Sequence, residues 1–358
     1  MQNAYKACFK VLLLVTLFIS ISCKKDDVEK EHKVHVLGIV YELSPSDPYV
    51  TNTRIAYWIN GAVDTISDLR FKVLPTSMYV SDDDVYVTGF GDINNVYWKN
   101  GSPVYLKSDI EDGYVHTSSV FVSDKDVYVA GYVRVLSQIP GDPLGSYRDI
   151  PMYWKNGIQY QLPTSTGNAP TTSIYVSGND VYVLGVELKR SNINESYTTT
   201  ALYWKNGVVT KLSNERSSTL ATSLFVSGND VYVAGYERKE NEELFAKYWK
   251  NGIEVNIADE KSNAIVTSIF VSGNDVYLAG SVNEGTRTKA TYWKNGTPVY
   301  LDGGSPFSTA SSIYVLDNEV YVAGIRSREQ GTPNGTYWKN GVEVALPIND
   351  TRFIVVTK

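Results

Sequence analysis

The chain has 358 residues, a net charge of −6, and tyrosine and tryptophan (27 and 7) far in excess of methionine and histidine (3 each). Valine and tyrosine dominate its apolar runs, which favours strands over helices, and no basic face is present of the kind a nucleic-acid footprint needs. Both cysteines, Cys8 and Cys23, lie in the first 23 residues, which excludes a disulfide framework, a thiolate zinc site or a cysteine nucleophile in the body.

Residues 1–22 carry Lys6 and Lys10, then the apolar run from Val11 to Ile21. That run has the length of a signal-peptide core and is too short to span a bilayer. It ends in Ile19-Ser20-Ile21-Ser22-Cys23, which resembles the lipobox of bacterial lipoproteins. The resemblance implies cleavage after Ser22 and acylation of Cys23, so that buried acyl chains hold the protein to a membrane. Residues 23–33 form a charged segment that cannot bury apolar surface and reads as a solvated tether. Its start, Lys24-Lys25-Asp26-Asp27, resembles the short acidic signal that sends some Gram-negative lipoproteins to the cell surface. The expected location is the outer membrane, lipid-anchored and facing outward.

Residues 34–358 are expected to form one all-β domain of seven repeats. Six tryptophans sit in Tyr-Trp-Lys-Asn-Gly (Trp98, Trp154, Trp204, Trp249, Trp293, Trp338) and the seventh, Trp58, in Tyr-Trp-Ile-Asn-Gly. They recur every 40 to 56 residues, a spacing suited to propeller blades. Upstream lies a second block, clearest in Ser173–Gly185, Ser223–Gly235 and Ser268–Gly280. Each repeat resolves into four strands. In the fourth, strand A is Ser173–Ser177, strand B runs from Asp180 to about Gly185, strand C is Leu202–Lys205 and strand D is Val208–Leu212. Gly-Asn and Asn-Gly supply the two tight turns, because positive φ is cheap for both residues. The predicted fold is a seven-bladed β-propeller of four-stranded antiparallel blades. The first repeat begins at strand B (Val34–Val40) without a strand A, and Arg352–Thr357 is a strand-A-like run left over at the end. The C-terminal run is therefore expected to complete blade 1 and close the ring, removing exposed sheet edges. A glycine ends strand B in six repeats (Gly89, Gly131, Gly185, Gly235, Gly280, Gly324), and close packing between blades is its expected reason. The layout resembles kelch-like and other propeller families, with a single glycine where kelch repeats carry a pair. That resemblance implies the fold and no kelch function.

The A–B and C–D turns fall on one face and are nearly identical between repeats. An acid opens strand B (Asp84, Asp126, Asp180, Asp230, Asp275, Glu319) and a lysine closes strand C (Lys99, Lys155, Lys205, Lys250, Lys294, Lys339), so cross-strand ion pairs are expected there. The B–C loops vary most, from Phe90–Val96 to Tyr132–Met152, and put the functional face opposite. With the tether entering on the turn-bearing face, the variable face is expected to point away from the membrane. Candidate ligand contacts on it are Arg134, Tyr147, Arg190, Tyr197, Arg238, Arg287 and Arg326. The Tyr-Trp pairs recur at one strand position in every blade, as packing residues do. His32, His35 and His116 form no multi-histidine set, and Asp82-Asp83-Asp84 is replaced by Ser-Gly-Asn-Asp in other copies, so neither metal nor cofactor is expected. The expectation is a non-enzymatic, monomeric binding scaffold for a protein or glycan. A carbohydrate-active enzyme with its site in the central channel and a structural envelope component are the alternatives.

Overall fold

The computed structural model describes residues 32–44, 47–65, 73–91, 95–137, 146–190, 197–213, 218–239, 243–257, 263–301, 303–327 and 334–358. The signal segment, Cys23 and most of the tether lie outside them. Seven four-stranded antiparallel sheets follow one another along the chain. Blade 1 contains β1 (Lys33–Ser44), β2 (Asp47–Ile59) and β3 (Ala62–Thr65). Blade 2 is β4 (Val73–Ser81), β5 (Asp84–Gly91), β6 (Val96–Lys99) and β7 (Ser102–Tyr105). Blade 3 is β8 (Tyr114–Ser123), β9 (Asp126–Ser137), β10 (Ser146–Lys155) and β11 (Ile158–Gln161). Blade 4 is β12 (Thr171–Ser177), β13 (Asp180–Arg190), β14 (Tyr197–Lys205) and β15 (Val208–Lys211). Blade 5 is β16 (Ser218–Ser227), β17 (Asp230–Arg238), β18 (Leu244–Lys250) and β19 (Ile253–Asn256). Blade 6 is β20 (Asn263–Ser272), β21 (Asp275–Glu284), β22 (Arg287–Lys294) and β23 (Thr297–Tyr300). Blade 7 is β24 (Ser308–Leu316), β25 (Glu319–Arg326), β26 (Asn334–Lys339) and β27 (Val342–Ala345).

The ring closes as the sequence predicts. The last strand, β28 (Asp350–Thr357), pairs with β1 from Lys33↔Thr357 to Ile39↔Asp350 and becomes the innermost strand of blade 1. Ile354 and Val356 are buried against blade 7 residues Tyr321 and Ala323. Ser311 of blade 7 donates its hydroxyl to the Thr351 carbonyl (2.8 Å). Beside this seam, Lys358 pairs with Asp317 (2.8 Å), and His32 reaches the Tyr321 hydroxyl (2.9 Å).

Each innermost strand skips one residue in its pairing. The unpaired residues are Thr76, Ser118, Thr172, Thr222, Thr267, Ser311 and, in blade 1, Arg352. Such a bulge bends the strand and aims its extra side chain elsewhere. Thr222 and Thr267 use that aim to donate to the next blade's Val266 and Ala310 carbonyls (2.9 and 3.0 Å). The bulge also explains the strand-B glycines differently from the expectation. A Cβ at Gly235, Gly280 or Gly324 would overlap the carbonyl oxygen of Leu220, Ile265 or Thr309, on the innermost strand of the same blade. Gly38 obeys the same rule against Asp350. The glycines thus accommodate the bulge within a blade, rather than contact between blades.

All seven tryptophans are buried, consistent with a packing role. Trp154 and Trp204 also donate their indole N–H to the backbone carbonyls of Lys107 and Pro163, which follow the outer strand of the preceding blade (2.8 and 2.7 Å). One expectation fails in extent. Much of the variable B–C segment is strand: β9 and β10 stay paired out to Ser137↔Ser146, and β13 and β14 out to Arg190↔Tyr197. These segments lose the repeat's residues but keep alternating apolar and polar side chains, so the hairpin continues beyond the blade.

Candidate functional site

The turn-bearing face is one motif repeated. In blade 4, Lys205 Nζ meets Asp180 Oδ2 (2.8 Å), Asn206 Nδ2 donates to Asp180 Oδ1 (2.7 Å), and the Val181 N–H donates to Asn206 Oδ1 (2.8 Å). The lysine lies over the Tyr182 ring (5.3 Å). Blades 2, 3, 5 and 6 repeat the ion pair at 2.7–2.8 Å, and blade 7 does so with Glu319 and Lys339. The lysine and asparagine contacts hold these aspartates below the usual carboxylate range. The carboxylates are committed to closing the turns.

Around the axis runs an aromatic belt, one ring in each of blades 2 to 7 at one register: Tyr79, Phe121, Tyr175, Phe225, Phe270 and Tyr314. Successive centroids lie 4.6–5.2 Å apart. Val355 takes the seventh place, opposite His35. Burial pushes the Tyr79 hydroxyl up to about 12, with Tyr175 and Tyr314 adding to it. On the innermost strands one acid is present among the described residues, Asp350, and Arg352 Nε donates to it (2.7 Å).

The hairpin face is uneven. Among the described residues, five of its exposed large apolar side chains lie on blades 2 and 3 (Leu74, Phe90, Tyr114, Leu136 and Tyr147), against Tyr41 on blade 1 and Phe307 ahead of blade 7. Beside Phe90 is His116, on β8, only 7% exposed. Its ring stacks on Tyr132 of its own blade (4.9 Å) and leans on Phe90 of blade 2 (5.3 Å). Its Nδ1 is buried and has no hydrogen-bond partner among the described residues. Burial, with Arg134 nearby, holds the imidazole below its ordinary pKa, which favours the neutral form. A neutral imidazole with an unmet ring nitrogen, inside an aromatic cluster, can accept or donate one directed hydrogen bond to a docked group.

The sequence candidates fall around this site unequally. Tyr147 is 57% exposed, paired with Leu136 near the tip of the blade 3 hairpin. Arg134 lies on the same hairpin, forks onto Asp149 (2.7 and 2.9 Å) and covers the Tyr132 ring (5.5 Å). Arg190 and Tyr197 are backbone partners in blade 4, and their side chains lie outside the described residues. Arg238 and Arg287 are exposed on blades 5 and 6. Arg326, on blade 7, engages Glu343 and donates to the Gly303 carbonyl (3.1 Å). The structure therefore places Arg134 and Tyr147 on one hairpin and Arg190 and Tyr197 on another, and leaves Arg238, Arg287 and Arg326 one to a blade. Phe90, His116 and Tyr132 were not singled out as ligand contacts from the sequence. The available signal was His116 itself, in a repeat column otherwise filled by Leu74, Pro170, Leu220, Ile265, Thr309 and Asp350.

No family model matches the chain, so the kelch resemblance gains no support, and no curated protein matches it either. Solved structures do. The β-propeller domain of the Trilobed protease from Pyrococcus furiosus, described as having an open velcro topology, matches at 13% identity and a TM-score of 0.55, over 88% of this chain and 95% of that domain. An acylaminoacyl peptidase from Pyrococcus horikoshii matches at 13% and 0.56, over 88% of this chain and 51% of the peptidase. A puromycin-hydrolyzing peptidase from Mycobacterium tuberculosis matches at 9% and 0.51, over 82% and 49%. The chain thus spans about half the length of these two peptidases. At such identities the likeness shows the propeller fold alone. It does correct one expectation. The matched propellers belong to peptidases, so the reading of the chain as non-enzymatic, drawn from the lack of a catalytic constellation in its sequence, is withdrawn.

Proposed function

We propose that the chain is a lipid-anchored propeller of the outer cell surface that binds a protein partner through its hairpin face, at the aromatic cluster of blades 2 and 3. The observation that carries this reading is the exposure of Leu74, Phe90, Tyr114, Leu136 and Tyr147 on two adjacent blades, with His116 packed between Phe90 and Tyr132 among them. Protein interfaces are enriched in such aromatic anchors and in arginine, and Arg134 is held rigid there by Asp149. Rigid hairpins on a closed scaffold lose little freedom on binding, which favours affinity. Anchoring rests on Cys23 and its resemblance to a lipobox cysteine, and export on Lys24-Lys25-Asp26-Asp27.

Two measurements test the reading. A photo-crosslinker at Tyr147 on intact cells should capture a discrete protein partner, and one at Lys125, on the turn-bearing face, should not. Equal capture at both positions contradicts the site. Cys23→Ser should move the protein from the membrane to the soluble fraction, and surface protease should degrade the wild type on intact cells. Membrane retention of the variant contradicts the anchor.

A further inference from the structure

Lining the seven repeats against one another exposes a second departure. The strand-C residue paired with the strand-B glycine, or standing in its register, is Ala56, Val96, Met152, Leu202, Thr291 or Thr336 in six blades, and all are buried. In blade 5 it is Lys247, opposite Gly235. Its ammonium is bound by Glu237 (2.5 Å) and Glu254 (2.8 Å). A lysine in a column of otherwise uncharged, buried side chains needs partners of this kind to offset its desolvation.

Beside Lys247, at the seam of blades 4 and 5, lies a half-open cavity of about 350 Å³. Lys211, Ser213, Glu237, Trp249 and Glu254 share its lining with Lys247. The volume is at the small-ligand end of the roughly 300–1,000 Å³ usual for binding pockets. Trp249 is 1% exposed, and its indole N–H has no hydrogen-bond partner among the described residues. The same N–H in Trp154 and Trp204 is satisfied by the preceding blade's backbone. A buried donor left unmet carries its full desolvation cost, so a group that supplies an acceptor here gains accordingly.

We propose that this seam cavity binds a small, net-neutral, hydroxyl-rich ligand, a hexose-sized sugar unit. The charges in the lining select that class. Both carboxylates are already paired with Lys247, and Lys211 lies 3.7 Å from Glu187 of blade 4. Two cations and two anions thus line the cavity without a separate positive or negative pole, so a charged ligand finds no counterion without breaking a pair. Each paired carboxylate still has lone pairs to offer, and the Trp249 indole has a proton to donate. A hydroxyl both donates and accepts, and neighbouring hydroxyls on a sugar ring meet both demands at once. The site is distinct from the aromatic cluster of blades 2 and 3.

The indole N–H resonance of Trp249 gives a direct readout. Trp249→Phe assigns it as the missing one of seven indole signals in the full-length chain. Titration with methyl glycosides of glucose, galactose, mannose and N-acetylglucosamine should move that signal for at least one sugar and leave the other six in place. Glycine and inorganic phosphate should not move it. Lys247→Leu installs the residue of blade 4 and should weaken binding at least about tenfold, and Trp249→Phe about three- to tenfold, consistent with losing one hydrogen bond. Tyr147→Ala should leave sugar binding unchanged, which separates this inference from the proposed protein-binding face. The inference is overturned if no glycoside moves the signal at tens of millimolar, if glycine or phosphate moves it instead, or if folded Lys247→Leu binds sugar with wild-type affinity.

Discussion

On the turn-bearing face, six blades build the same cluster of acid, lysine, asparagine and tyrosine, with nearly the same distances each time. On the hairpin face, one blade carries His116 between Phe90 and Tyr132, another a lysine held by two glutamates, and another an arginine engaging Glu343. The repeated contacts join residues close in sequence and fix the shape of a blade. The unrepeated ones lie at hairpins and seams, where the scaffold is already determined and a side chain is free to serve something else. In a repeat protein, departure from the repeat is thus the mark of a site.

The sharpest way to break this contrast is to remove what both faces depend on. Deleting 350–358 strips β1 of its inner partner and exposes the seam with blade 7. Ile354 and Val356 are both buried there, and truncating either would cost about 1–4 kcal/mol. Removing the whole strand should exceed the ~5–15 kcal/mol that holds a typical domain together, so no cooperative melting transition is expected. A transition at the wild-type temperature contradicts closure by β28. Next in size is a pair of glycines from blade 6. Gly280→Ala drives a methyl into the Ile265 carbonyl and should cost about 3 kcal/mol in urea denaturation. Gly273→Ala, in an open turn at φ +57°, should cost about 1 kcal/mol. Equal losses would mean that the bulge does not require its glycine.

A smaller effect is confined to a pH window. His35 takes the place that tyrosine holds in the other blades, and burial, with Lys33 beside it, lowers it to about 4. The unfolded chain binds this proton near 6.5 and the folded chain only near 4, so stability is full above the first value and declines as pH falls toward the second. His35→Tyr should remove part of that decline, on the order of 1–2 kcal/mol, in melting curves taken from pH 7 to 4. His116, lowered in the same direction, contributes a further share that survives the substitution. The turn aspartates act in a lower window, since their depressed values release stability only below the ordinary carboxylate range. The smallest expected effect is Lys205→Met. It breaks an exposed pair and should leave the melting temperature nearly unchanged, as such pairs contribute little.

The sequence made the blades legible because their determinants are local. Asn-Gly turns, the Asp–Lys pairing and the buried tryptophans all lie within one repeat, and the leftover strand at the C-terminus could be matched to the one missing at the start. The bulge was not legible, because Thr222 and Thr267 look like ordinary strand residues until the pairing register is known. The extended hairpins of blades 3 and 4 were read as loops because the repeat's residues stop at Gly131 and Gly185. The aromatic cluster joins Phe90 to His116 across two blades, a contact no single repeat contains. Lys247 was within reach: aligned with Leu202 and Met152, it is the one charge in its column.

The closed ring underlies every face and seam described above, and one cross-link tests it. Lys33 and Thr357 are directly paired across β1 and β28, and antiparallel partners lie within disulfide reach. With Cys8 and Cys23 replaced by serine, Lys33→Cys/Thr357→Cys should oxidise in air to a single intramolecular disulfide, with faster gel migration and no thiol left to react. Two freely reactive thiols in the folded protein would contradict the closure.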